Sequence, residues 1–99
     1  AKAFDTSCPI SRFIPADTII DPQKLPLELR VNGELRQKGI TADMLRPIPR
    51  LIAEASSYFT LEAGDILLTG TPSGVGRIQS GDLLEATIPQ VGNLKVTVA

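Results

Sequence analysis

The pair Asn32-Gly33, set between two alternating segments, constrains this chain more than any other feature. A two-residue type I′ turn needs positive φ at both central positions, and Asn followed by Gly tolerates it best. Leu27, Leu29 and Val31 alternate with Glu28 and Arg30 before the pair, and Leu35 and Gln37 alternate with Glu34, Arg36 and Lys38 after it. The spacing predicts a β-hairpin over 27–38, ended by Gly39.

Other segments fall on either side of that hairpin. Residues 1–26 hold Pro9, Pro15, Pro22 and Pro26, and proline fixes φ and removes a backbone donor, so this part reads as extended irregular chain with at most a short strand at Phe13-Ile14. Thr41 and Asp43 read as turn caps. Pro47 and Pro49 suit a helix start, and Leu51, Ile52, Ala55 and Phe59 recur at helical spacing, which predicts one helix at about 48–58. Two Gly-Asp turns, Gly64-Asp65 and Gly81-Asp82, precede apolar runs at 66–69 and 83–88, and 94–98 alternates cleanly; all three runs read as strands. The two Gly-Asp copies are turn chemistry and not a repeat architecture. The sum is a β-rich α+β domain.

With 99 residues the chain makes one small domain. Ten basic residues against eleven acidic give a net charge of −1, with no basic stripe and only four aromatic side chains, which sets nucleic-acid binding aside. No apolar run approaches the roughly 20 residues that span a bilayer. The single cysteine, Cys8, cannot close an internal disulfide and reads as a small buried hydrophobe. Histidine is absent, so neither a Ser-His-Asp nor a Cys-His arrangement can be completed within the chain. Ala1-Lys2-Ala3-Phe4-Asp5 shows neither a signal-peptide pattern nor an initiator Met, and predicts a chain that starts in the middle of a longer one.

Three places can carry chemistry. Leu68-Thr69-Gly70-Thr71-Pro72-Ser73-Gly74-Val75-Gly76 is an apolar run ending in a glycine-rich loop. Glycines let a ligand approach the backbone, and the Thr71 hydroxyl can donate to a carboxylate oxygen. A plain strand connection explains the same residues equally well. The loop lacks the Gly-Lys-Ser/Thr of a phosphate-binding loop and does not continue as G-x-G-x-x-G. Lys2 sits among apolar neighbours, where a desolvated ammonium can stabilise an enolate; a solvated terminal lysine is the plainer reading. Asp43, with Arg46 nearby, can ligate a metal, though a turn cap accounts for it. Arg30 and Arg36 read as solvated strand residues or dimer contacts.

Taken in order, these segments resemble the C-terminal part of the fumarylacetoacetate hydrolase family. Lys2-Ala3-Phe4-Asp5-x-x-Cys8-Pro9, Val31-Asn32-Gly33-Glu34-Leu35-Arg36-Gln37, Asp43-Met44 and Leu61-Glu62-x-Gly64-Asp65 through Gly76 are similar to four family blocks and follow the family's order and spacing over essentially the whole chain. The nearest flavour is the acylpyruvase and oxaloacetate decarboxylase branch, followed by the homoprotocatechuate-pathway isomerase/decarboxylases. The resemblance implies a fold of rolled mixed β-sheets, a homodimer, and a cytoplasmic enzyme (mitochondrial in a eukaryote). It implies Mg²⁺ or Mn²⁺ as cofactor and a small 2-oxo acid as substrate, cleaved by C–C hydrolysis or decarboxylation. Lys2 falls on the family's active-site lysine, Thr71 on the threonine that binds the substrate carboxylate, and Gly70 on the position that lets the substrate approach. Thr6 matches a threonine found near the metal in some members only.

The family's metal carboxylates, a Glu-x-Glu pair and an Asp, lie upstream of its lysine, as does the His-Glu pair of its hydrolytic members. No metal ligand is therefore expected among residues 1–99, which would be the C-terminal portion of one catalytic domain and inactive alone. A non-catalytic assembly module of the same fold is the competing expectation.

Overall fold

The computed structural model describes residues 4–99. Four strands form one antiparallel sheet: β1 (Pro26–Val31), β2 (Glu34–Ile40), β3 (Leu83–Ile88) and β4 (Gly92–Thr97), in the order β2-β1-β3-β4. A helix, α1 (Ile48–Tyr58), lies in the connection between β2 and β3. The β-rich α+β expectation with one main helix is what the chain adopts.

The hairpin forms where the sequence places it. Asn32 has φ 52° and Gly33 φ 84°, the pair of positive angles a type I′ turn requires. Asn32 does more than turn the chain. Its backbone N–H donates to the Leu83 carbonyl (2.8 Å), its side-chain oxygen accepts from the Leu83 N–H (2.9 Å), and its side-chain nitrogen donates to Asp82 (2.9 Å). The turn of one hairpin is thereby tied to the first residue of the other. The second carboxylate oxygen of Asp82 accepts the Gln79 N–H at 2.9 Å. This backbone bond first, and then the Asn32 amide, hold the Asp82 carboxyl below its ordinary value of 3.8; desolvation opposes them, and the charge of Arg36 adds the least. Asp65 accepts the Glu62 N–H in the same way, so the two Gly-Asp segments share a turn chemistry.

β1 is the inner strand that β2 and β3 both flank. Its end and its approach supply the buried core among the described residues, Val31 and Leu25, at 5% and 6% exposure. Each such side chain contributes roughly 1.5–3 kcal/mol of burial. Leu25 is fixed by Thr41, whose hydroxyl accepts the Leu25 N–H (2.9 Å) and donates to the Pro22 carbonyl (2.6 Å).

Helix α1 starts at Ile48 with Pro47 as its N-cap residue and Pro49 in its first turn, where a missing N–H costs nothing. No side chain of the N-cap residue caps it. Gln23 does so from a distance, its side-chain oxygen accepting the Ile48 N–H. Ile48, Leu51 and Ala55 form the half-buried stripe, while Ile52 and Phe59, expected on the apolar face, are exposed.

Three expectations are corrected. Ile66–Thr69 forms no strand: no ladder pairs it among the described residues, and Ile66, Leu67 and Leu68 are exposed. Phe13-Ile14 forms none either, in a segment whose regular structure is two short 3₁₀ turns at Ala16–Thr18 and Pro22–Lys24. Cys8 is exposed, although Ser11, three residues on, lies beside β3 and β4.

Candidate functional site

The glycine-rich loop lies along β2, and a β-bulge makes that possible. The β1–β2 register pairs Leu29 with Gln37 but Arg30 with Leu35, leaving Arg36 as the extra residue. In a regular strand consecutive side chains point to opposite faces, and a bulge breaks that alternation. Arg36 and Gln37, though adjacent, both reach the same loop. The Arg36 guanidinium donates to the Arg77 carbonyl at 3.3 Å. The Gln37 amide nitrogen donates to the Thr71 hydroxyl oxygen at 2.9 Å and to the Pro72 carbonyl at 2.8 Å. The backbones also meet closely: a Cβ at Gly39 would lie 3.2 Å from Pro72 Cβ, and one at Gly74 would collide with the Arg36 carbonyl oxygen.

This contact forms one wall of a cleft of about 610 Å³. Thr69, Gly70, Thr71, Pro72 and Ser73 supply the loop side; Leu27 and residues 38–41 supply the sheet side; Asp43–Arg46 and Leu51 close the far side. Gly70 has open space beside its α-carbon, which leaves the backbone approachable. Lys38 and Arg46 against the single carboxylate Asp43 give the charged part of the lining an excess of positive charge. Arg46 is paired with Glu54 on α1 at 3.0 Å.

Of the expected site residues, Gly70 and Thr71 line the cleft together. Thr6 does not line it; at φ 63° its hydroxyl donates to the neighbouring Asp5 carbonyl at 2.6 Å. Lys2 lies outside the described residues. Among the described residues no group of three or more His, Cys, Asp or Glu is placed to hold a metal ion, and Asp43 is the one carboxylate in the cleft lining. These residues therefore do not by themselves fit a divalent cation. Gln37 is the residue that sequence reasoning passed over. Its alternation marked it as an ordinary strand position, and its partners lie 34 and 35 residues away.

The profile of the fumarylacetoacetate hydrolase C-terminal domain matches residues 1–99. The chain belongs to the fumarylacetoacetate hydrolase family. Among relatives in this family, the oxaloacetate tautomerase YcgM of Escherichia coli (strain K12) is 61% identical over 88 residues, which span 88% of this chain and 40% of that protein. The mitochondrial oxaloacetate decarboxylase of Dictyostelium discoideum is 48% identical over 88 residues, 89% of this chain and 40% of that one. The crystal structure of maleylpyruvate hydrolase from Sphingobium sp. SYK-6 superposes with a TM-score of 0.94 at 47% identity, covering 99% of this chain and 37% of that one. A further structure of that hydrolase, with manganese(II) and pyruvate, gives a TM-score of 0.93 over 98% of this chain and 37% of that one. This fumarylacetoacetate hydrolase family chain spans about two fifths of the length of the curated relatives it matches.

Proposed function

We propose that this chain is the C-terminal portion of a catalytic domain that cleaves small 2-oxo acids, such as oxaloacetate or acylpyruvates, by C–C hydrolysis or decarboxylation with a divalent metal. The observation that carries the reading is the placement of Gly70 and Thr71 together on the wall of a cleft whose charged lining is net positive. A 2-oxo acid presents a carboxylate, and a hydroxyl donor beside an approachable backbone is suited to bind it. Lys2, by the family resemblance, stabilises the enolate that cleavage leaves behind. A divalent cation such as Mg²⁺ or Mn²⁺, if bound, would need ligands beyond the described residues and would supply polarisation of the 2-oxo group.

Tautomerisation is a second reading, favoured by the 61% identity to a protein named oxaloacetate tautomerase. The relatives named tautomerase, decarboxylase and hydrolase share one chemical requirement: a 2-oxo acid must pass through its enol or enolate. The binding role of Thr71 is the same in each. A homodimer in the cytoplasm, or in mitochondria of a eukaryote, belongs to the same proposal.

The test is the longer polypeptide containing this segment, assayed with Mg²⁺ or Mn²⁺ on oxaloacetate, following enol absorbance, pyruvate and CO₂ separately. Product formation supports cleavage, and loss of enol signal without pyruvate supports tautomerisation. Thr71→Val should raise KM about 10- to 100-fold, as expected for one hydrogen bond to a charged group. Lys2→Ala should lower kcat. Full activity in both variants would sink the reading.

A further inference from the structure

A hydroxyl accepts as readily as it donates, so Thr71 serves a carboxylate only if its proton is free to be given. Gln37 determines that. The Pro72 carbonyl has no proton to offer, so the Gln37 atom facing it at 2.8 Å is the amide nitrogen, and the two ends of the amide are not interchangeable here. The same nitrogen stands 2.9 Å from Thr71 Oγ1. An amide nitrogen cannot accept, so its second proton goes to Thr71, and the Thr71 oxygen is the acceptor in that contact. No described residue takes the Thr71 proton in return.

We propose that Gln37 is a positioning residue that fixes the Thr71 hydroxyl as a donor toward the carboxylate of a bound 2-oxo acid. This rests on the reading of Thr71 given above. Gln37 is half-buried against the loop, and its aim depends on the bulge at Arg36. Because its two donors are spent on Thr71 and Pro72, the Thr71 oxygen already accepts from that amide, and its proton is turned away from Gln37 before any ligand arrives. Binding then avoids part of the cost of ordering it.

The experiment is a double-mutant cycle in the longer polypeptide with its metal, reading KM and kcat for oxaloacetate. Thr71→Val should raise KM about tenfold or more, and Gln37→Met should raise it about threefold or more, with kcat changed less than KM in each. The double variant should match Thr71→Val, because Gln37 has nothing left to orient. Thr71→Ser, which keeps the hydroxyl, should retain a near-native KM. If Gln37→Met raises KM by the same factor with and without the Thr71 hydroxyl, Gln37 acts by placing the loop through Pro72, and the proposal is overturned while the role of Thr71 stands. If Thr71→Val leaves KM unchanged, the carboxylate-binding reading falls and this inference falls with it. Should Gln37→Met fail to fold by circular dichroism, Gln37→Glu enters the same cycle; it keeps the side-chain length and, ionised, cannot donate.

Discussion

An alanine at position 74 would meet two obstacles at once. The backbone there has φ +103°, a region that side chains other than glycine's adopt at a cost of about 1–3 kcal/mol, and the added methyl would run into the Arg36 carbonyl oxygen. Gly74→Ala is therefore expected to destabilise the protein by about 2 kcal/mol or more, checked by the shift of the urea unfolding midpoint at constant slope. It should also raise KM, since relieving the clash moves the loop that carries Thr71. Among single residues, the sequence showed which types were present and little about which would meet. Thr71 stood out because it sits in a loop with Gly70, Gly74 and Gly76. Gln37 did not, because a glutamine in an alternating strand carries no mark of a partner more than thirty residues on. The exposure of Cys8 was equally illegible: an apolar tripeptide context says nothing about which surface covers it.

At the level of elements, local patterns were legible wherever local forces decide. The Asn32-Gly33 turn, helix α1 at Ile48–Tyr58 and strands β3 and β4 stand within a residue or two of where periodicity and turn chemistry put them. Ile66–Thr69 has the composition of a strand without the partner that would make it one, and composition cannot report a partner. The helix cap was illegible for a related reason: Gln23 supplies the bond from 25 residues away, and nothing local to Ile48 marks it. The clasp between the two hairpins yields a pH prediction. Asp82 titrates below 3.8 in the folded chain, so its contribution is fully present above that value and is lost as pH falls through the lower folded one. Asp82→Asn should lower the melting temperature at pH 7 and shrink the drop seen as pH falls from about 4 toward about 2; an unchanged drop would exclude Asp82 as its source. Asn32→Ala, which loses the positive-φ preference and both side-chain bonds, should cost about 2 kcal/mol by the same melting measurement.

Over the whole molecule, packing is thinner than the secondary structure implies. The radius of gyration is 14.6 Å, against about 13 Å for a compact chain of this length. Leu45, Phe13 and Val75 are exposed by 102, 74 and 77%, alongside the apolar face of Ile66–Leu68. An exposed apolar area of this kind is suited to contact with a further chain segment or a subunit. If these residues are part of a longer catalytic domain, as proposed above, residues 1–99 on their own are expected to bind a hydrophobic dye and unfold with low cooperativity, while the same residues in that domain should show strong hydrogen-exchange protection. Equal behaviour in both settings would mean that this surface is open in the full protein. The pairing of β1 with β3 has a consequence for how such a chain assembles. Each of the β1–β2 and β3–β4 hairpins closes over a handful of residues and can form early, whereas β1 finds β3 only after the span holding α1 and the Gly70-Thr71 loop has been drawn into a ring. The cleft beside Gly70 and Thr71, proposed above to bind the ligand, is enclosed largely by the chain within that ring. Completing the sheet and building the cleft are then one kinetic event, and recovery of ligand binding during refolding should keep pace with the slowest step of sheet formation.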